Sequence, residues 1–443
     1  MPHLIDPGEV ALRLVAFAAC AALMIAGWRR GWRPSLKATL AVALALRVLL
    51  LVVAGDFKPY DLHIDFHRAG VNALEHRDPI LNAPQTGWNY LPTYALYLAT
   101  NVFAERHLGV PWMVVSRIGP ILFDLGVIVL VGLLASARFR PTARFLYAAN
   151  PLTVLVSAVH GQMEPLCLLF ALGAFVLVLR GRFGDEEPGA PVPALTGRRV
   201  LAAGVLIALA ISVKTWPALF LPALLIALPT WAYRARLVAA MGAVLALLFV
   251  TMPLTVGTPV AKLPEVAGVM IGYHPVVGTF GWTSVVLWAH PVPADRLLHD
   301  PLTVALGSAG SLLTLAAIAA AVWWWRRAHP VDLAMVSASA FQVVTASHGV
   351  QYLEWAAPFA MARPARRTGL MTVAIGLYAG FGYLVMTMTR NWAAVAPYYY
   401  MSSLLVIAAI VAALPWARRV WSPPAAGGPD EGRGEPALAG AAR

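Results

Sequence analysis

Stretches such as VALRLVAFAACAALMIAGW (residues 10–28) and VALGSAGSLLTLAAIAAAVWWW (residues 304–325) leave a chain few ways to fold. Uninterrupted apolar runs of about 17 to 25 residues match the ~30 Å hydrocarbon thickness of a bilayer at about 1.5 Å per helical residue. Lipid offers an exposed backbone no hydrogen bonds, so each run must be a helix. With 60% hydrophobic and 12% charged residues, the chain also falls short of the roughly one quarter charged residues of an ordinary soluble protein. An all-α polytopic membrane protein is expected. The first run follows MPHLIDPGEV, which carries no basic cluster, and no small-residue cleavage site ends the run in a soluble domain, so it reads as a retained span rather than a signal peptide. Cys20 and Cys167 both fall inside apolar runs and read as packing residues rather than a disulfide or metal pair.

A net charge of +12 would suit a nucleic-acid partner, but its distribution argues against one. The basic residues gather in short segments between apolar runs, at 29–37, 138–144, 180–199, 234–236, 326–327, 363–367 and 418–419. That is the pattern of cytoplasmic loops. Placing all of them on one side requires about thirteen helices, each near the length that crosses a bilayer. They fall at 10–27, 37–54, 116–136, 144–160, 163–180, 199–215, 217–233, 237–254, 301–325, 331–347, 351–364, 368–387 and 397–416. Residues 1–420 then form one membrane domain with the amino terminus outside, and 421–443, rich in Pro, Gly and charge, form a disordered cytoplasmic tail. Counting LPTYALYLATNVFA (91–104) as a span would invert everything before it, so it reads as an interfacial or re-entrant helix. Two long extracytoplasmic loops result, 55–115 and 255–300, together with short turns near Gly161, Thr215, His348 and Asn391. Nearly every His, Asp and Glu outside the tail and the GDEEP loop collects on that face, so the chemistry is expected there.

Four polar islands stand out. YDLHIDFHR (Tyr60–Arg68) holds Asp61, His63, Asp65 and His67. A solvated loop would use such charges, but a carboxylate at a membrane surface, partly desolvated, also suits a general base. Asp61 and Asp65 are one helical turn apart and would share a face. His63 and His67 have the spacing of a two-histidine metal pair, without a Glu after the first His. The second island, AANPLTVLVSAVHGQMEPLCLLF (148–170), puts His160, Gln162 and Glu164 at a tight turn between spans. An acid at the membrane boundary is a functional candidate, with a structural ion pair as the competing reading. In AISVKTWPALFLP (210–222), Lys214 either snorkels to the interface or holds a lipid phosphate. The fourth, ASHGVQYLEWAAPFA (346–360), gathers His348, Gln351, Tyr352 and Glu354. Arg47, Arg117 and Arg390 complete the cations near that face, and Asp124, costly to bury inside a span, is expected to pair with one of them or with a backbone donor.

The order of these motifs, an acidic first external loop ending in RDPI (Arg77–Ile80), then SRIGPILFDLGV, NPLTVLVSAVHGQMEP, SVKTWPALFLP and QYLEWAAP, resembles the GT-C superfamily of polytopic glycosyltransferases. More narrowly it is similar to the mannosyltransferases that use polyprenyl-phosphate sugars, over roughly residues 37–365. The resemblance implies a catalytic aspartate in the first external loop, here Asp61 or Asp65, although family members often space such a pair by two residues and this chain spaces it by four. It matches Lys214 to a family Lys before an aromatic-Pro pair, and Glu164 to a position where the family usually has Asp.

An inverting transfer follows from that likeness. The carboxylate takes a proton from an acceptor hydroxyl, which attacks the anomeric carbon of a lipid-phosphate sugar. Lys214, Arg117, His348 and Arg390 then stabilise the departing phosphate. Trp88, Tyr90, Tyr94, Trp282 and Tyr352 are candidates to stack on sugars, with His63, His67, His160, Gln162, Glu164 and Gln351 as further substrate contacts. The partners expected are a polyprenyl-phosphate sugar donor, a glycolipid or glycan acceptor and membrane lipids, at a multi-pass plasma-membrane protein with an extracytoplasmic active site. No cofactor is called for; a divalent metal would have His63 and His67 as its ligands. The competing readings are a multi-pass lipid or small-molecule transporter or flippase, and a metal-dependent membrane hydrolase. A transporter would gather ionisable groups near the midplane in two related halves, and no internal repeat is visible.

Overall fold

The computed structural model describes residues 6–54, 57–83, 88–179, 194–272, 277–278, 280–293, 296–297, 299–389, 392–417 and 420–421. Arg390, the GDEEP loop and the tail beyond residue 421 lie outside them. Among the described residues the structure is helical, with no strand. Seven helices among the described residues are long and apolar enough to cross a membrane: Pro7–Arg30, Leu36–Val53, Trp112–Leu134, Trp231–Val250, Pro301–Trp325, Thr368–Met388 and Ala394–Ala413. Their ends follow from local chemistry. Asp6 caps the first helix, its carboxylate accepting from the Gly8 and Glu9 amides at 2.8 and 3.1 Å, and Gly31 ends it in the left-handed region. Such caps satisfy amides and carbonyls that a helix end leaves unpaired. Asp300 does the same for Pro301–Trp325, accepting from Leu302 and Thr303.

The other expected spans are shorter or broken helices. Residues 144–160 divide at Asn150, whose side chain caps Pro151–Val154. Residues 351–364 form a tight 3-10 stretch, Val350–Ala356, running into Ala357–Ala362. The expected boundary at 234–236 is displaced. A short 3-10 segment, Trp216–Phe220, leads into Leu221–Ala227, and the chain turns at Leu228 to Thr230. Thr230 then caps Trp231–Val250. Arg234 therefore sits in the first turn of that helix, donating back to the Leu228 carbonyl at 3.2 and 3.1 Å. The 91–104 segment is a single helix, Pro92–Leu108, ended by left-handed Gly109.

Helix Glu164–Leu179 packs between Trp112–Leu134 and Gly197–Val213, which in turn packs on Trp231–Val250. A Cβ on Gly204 would stand 2.6 Å from the Leu237 carbonyl oxygen, so only glycine permits that approach. Cys20 and Cys167 are free and buried, as packing residues should be. In the core, Arg47 donates from Nε to Asp124 Oδ2 at 2.8 Å, which is one of the pairings expected for Asp124. The Tyr147 hydroxyl lies 2.9 Å from Asp124 and 3.1 Å from Glu354. The 55–115 segment is tied to the 255–300 segment through Asp78, whose carboxylate accepts from the Ile80 and Leu81 amides at 2.6 and 2.8 Å and from the Thr258 hydroxyl.

Candidate active site

The Tyr60–Arg68 island does not wind as an ordinary α-helix. Residues Asp61–Phe66 form a widened π-turn that runs directly into the helix His67–Leu74. Its inner residues Leu62 and Phe66 are buried. The Trp112 indole donates to the Leu62 carbonyl at 2.9 Å, and Arg117 donates to the carbonyls of Phe57 and Met113 at 2.7 and 3.2 Å. These bonds pin the turn to the start of Trp112–Leu134 and leave Asp61 with its side chain 31% exposed.

A second widened turn, Leu155–His160, ends at left-handed Gly161, φ 76°. A Cβ at Gly161 would stand 2.9 Å from Arg117 Cγ and 3.0 Å from Leu62 Cδ2. Glycine is what lets the two turns close on one another.

Across that contact, His160 Nε2 lies 2.7 Å from Asp61 Oδ1, and the Leu62 amide donates to the same oxygen at 2.9 Å. The Gln162 amide group donates to Asp61 Oδ2. An ionised carboxylate only accepts, so His160 Nε2 carries a proton and donates it. Gln162 Nε2 also lies 2.8 Å from His160 Nε2, so the three side chains form one compact cluster. Burial works to raise the Asp61 pKa, but His160 beside it, the Leu62 amide and the charge of Lys214 outweigh burial and hold the carboxyl below its ordinary value. On the far side of the ring, His160 Nδ1 lies 2.6 Å from the Tyr383 hydroxyl. Tyr383 stands in a third widened turn, Phe381–Val385.

Next to this chain is a buried ion pair. Lys214 donates to Glu164 Oε1 at 2.6 Å and sits 4.6 Å over the Tyr352 ring. Tyr352, Trp355 and Trp216 form a continuous stack, with ring centroids 4.5 and 4.3 Å apart, so the face presented to Lys214 is rigidly backed. Several buried polar atoms here have no partner among the described residues: Glu164 Oε2, Gln162 Oε1, Tyr94 Oη and Trp88 Nε1. Trp88 and Tyr94 are stacked in parallel, with Tyr90 edge-on to Trp88. Buried polar atoms are almost always paired, so a polar ligand is the expected partner for this set.

The remaining candidates are placed as follows. Asp65 has its pKa raised to about 6, first by burial and then by the negative charge of Asp61, against the pull of Arg68. His67 Nε2 is 2.8 Å from Glu105, and His63 is exposed. Among the described residues no group of three or more His, Cys, Asp or Glu side chains could hold a metal ion. Burial pushes the His348 pKa down to about 4; at neutral pH its ring is therefore a hydrogen-bonding group and not a cation. The Gln351 amide lies over Gly349, outside the Asp61 network. Arg390 is outside the described residues. Tyr383 is the member of the network that the sequence did not single out.

The raised pKa of Asp65 makes a testable point. Because the folded protein holds this proton more tightly than the unfolded chain, its contribution to stability falls as pH rises from the ordinary 3.8 through about 6. Asp65→Asn is expected to raise the midpoint of thermal unfolding above pH 6 and to leave it unchanged below pH 4. A variant equal to the parent at both ends would show Asp65 to be fully hydrated.

A helical bundle with membrane-length helices thus brings carboxylates, an imidazole, a lysine and buried polar atoms together. The family model described as glycosyltransferase family 87 matches residues 82–347, and the chain belongs to that family of GT-C-type membrane glycosyltransferases. No curated protein matches the chain. The matched span contains His160, Gln162, Glu164 and Lys214; Asp61, His348 and Tyr383 fall outside it, so their roles rest on geometry. Membership also sets aside the transporter reading.

Proposed function

We propose that the protein transfers a sugar, in our reading mannose, from a polyprenyl-phosphate-linked donor to a hydroxyl of a glycolipid or glycan acceptor. Transfer takes place at the extracytoplasmic face of the plasma membrane, with inversion at the anomeric carbon and with the carboxyl terminus on the cytoplasmic side. Asp61 is the general base. The observation that carries this reading is a part-exposed carboxylate held by three donors and set beside a buried lysine. Asp61 takes the acceptor proton as the acceptor oxygen bonds to the anomeric carbon, and the bond from that carbon to the phosphate oxygen breaks with its electron pair leaving on the lipid phosphate. Lys214 meets the developing charge. Glu164 and the Tyr352 ring fix its ammonium while leaving it donor capacity for a phosphate oxygen. Arg117, spent on the Phe57 and Met113 carbonyls, anchors the turn that carries Asp61, and the Trp88, Tyr90 and Tyr94 rings form a wall for the sugar.

The test is turnover by purified protein in lipid nanodiscs with a polyprenyl-phosphate mannose donor and a glycolipid acceptor. Acceptor-dependent release of polyprenyl phosphate is expected. Consumption of a nucleotide sugar, with no release from mannosyl, glucosyl or arabinosyl lipid donors, would overturn the lipid-donor reading.

A further inference from the structure

Three widened turns occur among the described residues, at Asp61–Phe66, Leu155–His160 and Phe381–Val385, and each contributes one member of a single hydrogen-bonded chain. Asp61 opens the first turn, His160 closes the second and Tyr383 stands in the middle of the third. A π-turn gives up regular helical hydrogen bonding and is frequent at functional sites. Three of them converging on Asp61, His160 and Tyr383, which are far apart in sequence, is more than packing requires. The distances are those of strong bonds, 2.7 Å between Asp61 and His160 and 2.6 Å between His160 and Tyr383. The imidazole and phenol also meet edge to face, with centroids 5.2 Å apart at 65°.

We propose that Tyr383 is a positioning residue for the transfer. Its hydroxyl donates to His160 Nδ1, which fixes the neutral ring as the Nε2–H tautomer and aims that N–H at Asp61. The inference rests on Asp61 being the base and extends that reading by two residues. A neutral imidazole has one donor and one acceptor nitrogen, and the partner of one nitrogen sets the state of the other. With the phenol as donor on Nδ1, the proton must reside on Nε2, facing the carboxylate. Without it the ring can take the other tautomer. A lone pair then faces Asp61, and the carboxyl can meet it only by keeping a proton. Tyr383 thus acts through His160, from a position within an apolar span, to keep Asp61 free to accept a proton from the substrate.

Tyr383→Phe tests this by the pH dependence of kcat. The titratable groups that face Asp61 are His160, Lys214 and Asp65, with the phenols of Tyr94, Tyr352 and Tyr383 around them. Of these, the substitution touches only the Tyr383 contact. The expected result is a fall in kcat of about tenfold near neutral pH, the worth of one hydrogen bond, with the acid limb moved upward and the KM for the lipid donor unchanged. In a His160→Gln background, Tyr383→Phe should add nothing, because the route between phenol and carboxylate is already cut. Replacing Tyr383 with 3,5-difluorotyrosine keeps the shape and strengthens the donor, so the acid limb should move the other way; this arm decides the matter if the Phe variant does not fold. An unmoved acid limb with either replacement, or losses from Tyr383→Phe and His160→Gln that simply multiply, would overturn the proposal. Asp61→Asn, run alongside, separates this failure from a failure of the base assignment: if that variant keeps turnover, Asp61 is not the base.

Discussion

Asp61→Asn protein is expected to fold, to bind the lipid donor and to lose turnover by about a hundredfold to ten-thousandfold, the range that a positioned general base contributes. Folding should survive because the site can accommodate an amide. Asn keeps one oxygen to accept from His160 and the Leu62 amide, and Gln162, whose Oε1 has no partner, can turn its amide over to accept from the new NH₂ group. What is lost is the capacity to take a proton. Release of polyprenyl phosphate measures the effect, with donor affinity measured separately so that a binding defect is not mistaken for a chemical one. Asp65→Asn is the control. That carboxyl is fixed by no hydrogen bond comparable to those on Asp61, and its pKa is raised partly by Asp61 itself, so its removal should leave most of the turnover. It should leave the acid limb of the pH profile in place, since Asp65, with its pKa raised to about 6, is already protonated and neutral where Asp61, held below its ordinary value, titrates. Equal losses in the two variants would overturn the choice of Asp61 over Asp65.

Much of this site could be read from the chain alone, because its polar residues are conspicuous against an apolar background. Asp61, His160, Gln162, Glu164 and Lys214 lie in three short polar islands. Their mutual geometry was not legible. The four-residue spacing of Asp61 and Asp65 suggests an ordinary α-helical face, but the turn is widened, and only Asp61 is drawn into the contact with His160. Lys214, read either as snorkelling or as a phosphate cation, has a carboxylate partner 50 residues away in Glu164. Tyr383 could not be found at all, since a tyrosine in FGYLV within an apolar run looks like any interfacial or packing aromatic. The displaced boundary at Thr230 has a similar origin. Pro229 and Thr230 form a good helix start, whereas a boundary read from charge falls on the basic pair at 234 and 236.

The largest effect on stability is expected away from the site, at Arg47→Met. Arg47 is completely enclosed and so is its partner Asp124, with neither side chain exposed at all. Its guanidinium also donates to the Ala43 and Ala148 carbonyls, each at 3.0 Å, so one side chain ties Leu36–Ala54 to Trp112–Leu134 and to the end of Arg140–Ala148. Removing the cation leaves Asp124 buried with Tyr147 as its remaining donor, and that single phenol proton is shared with Glu354. Breaking a buried pair by deleting one partner costs about 3 to 5 kcal/mol, because the survivor keeps its desolvation penalty and loses the charge that offset it. Replacing both partners with apolar residues of similar volume is often close to neutral, so Arg47→Met combined with Asp124→Leu should recover most of the loss, though not the two carbonyl bonds. Denaturant unfolding of the detergent-solubilised protein measures both variants. A single variant within about 1 kcal/mol of the parent, the ordinary worth of an exposed pair, would mean that water reaches Asp124 and that the three helices are held by apolar packing alone. A double variant no better than the single one would assign the loss to the carbonyl bonds instead of the stranded charge.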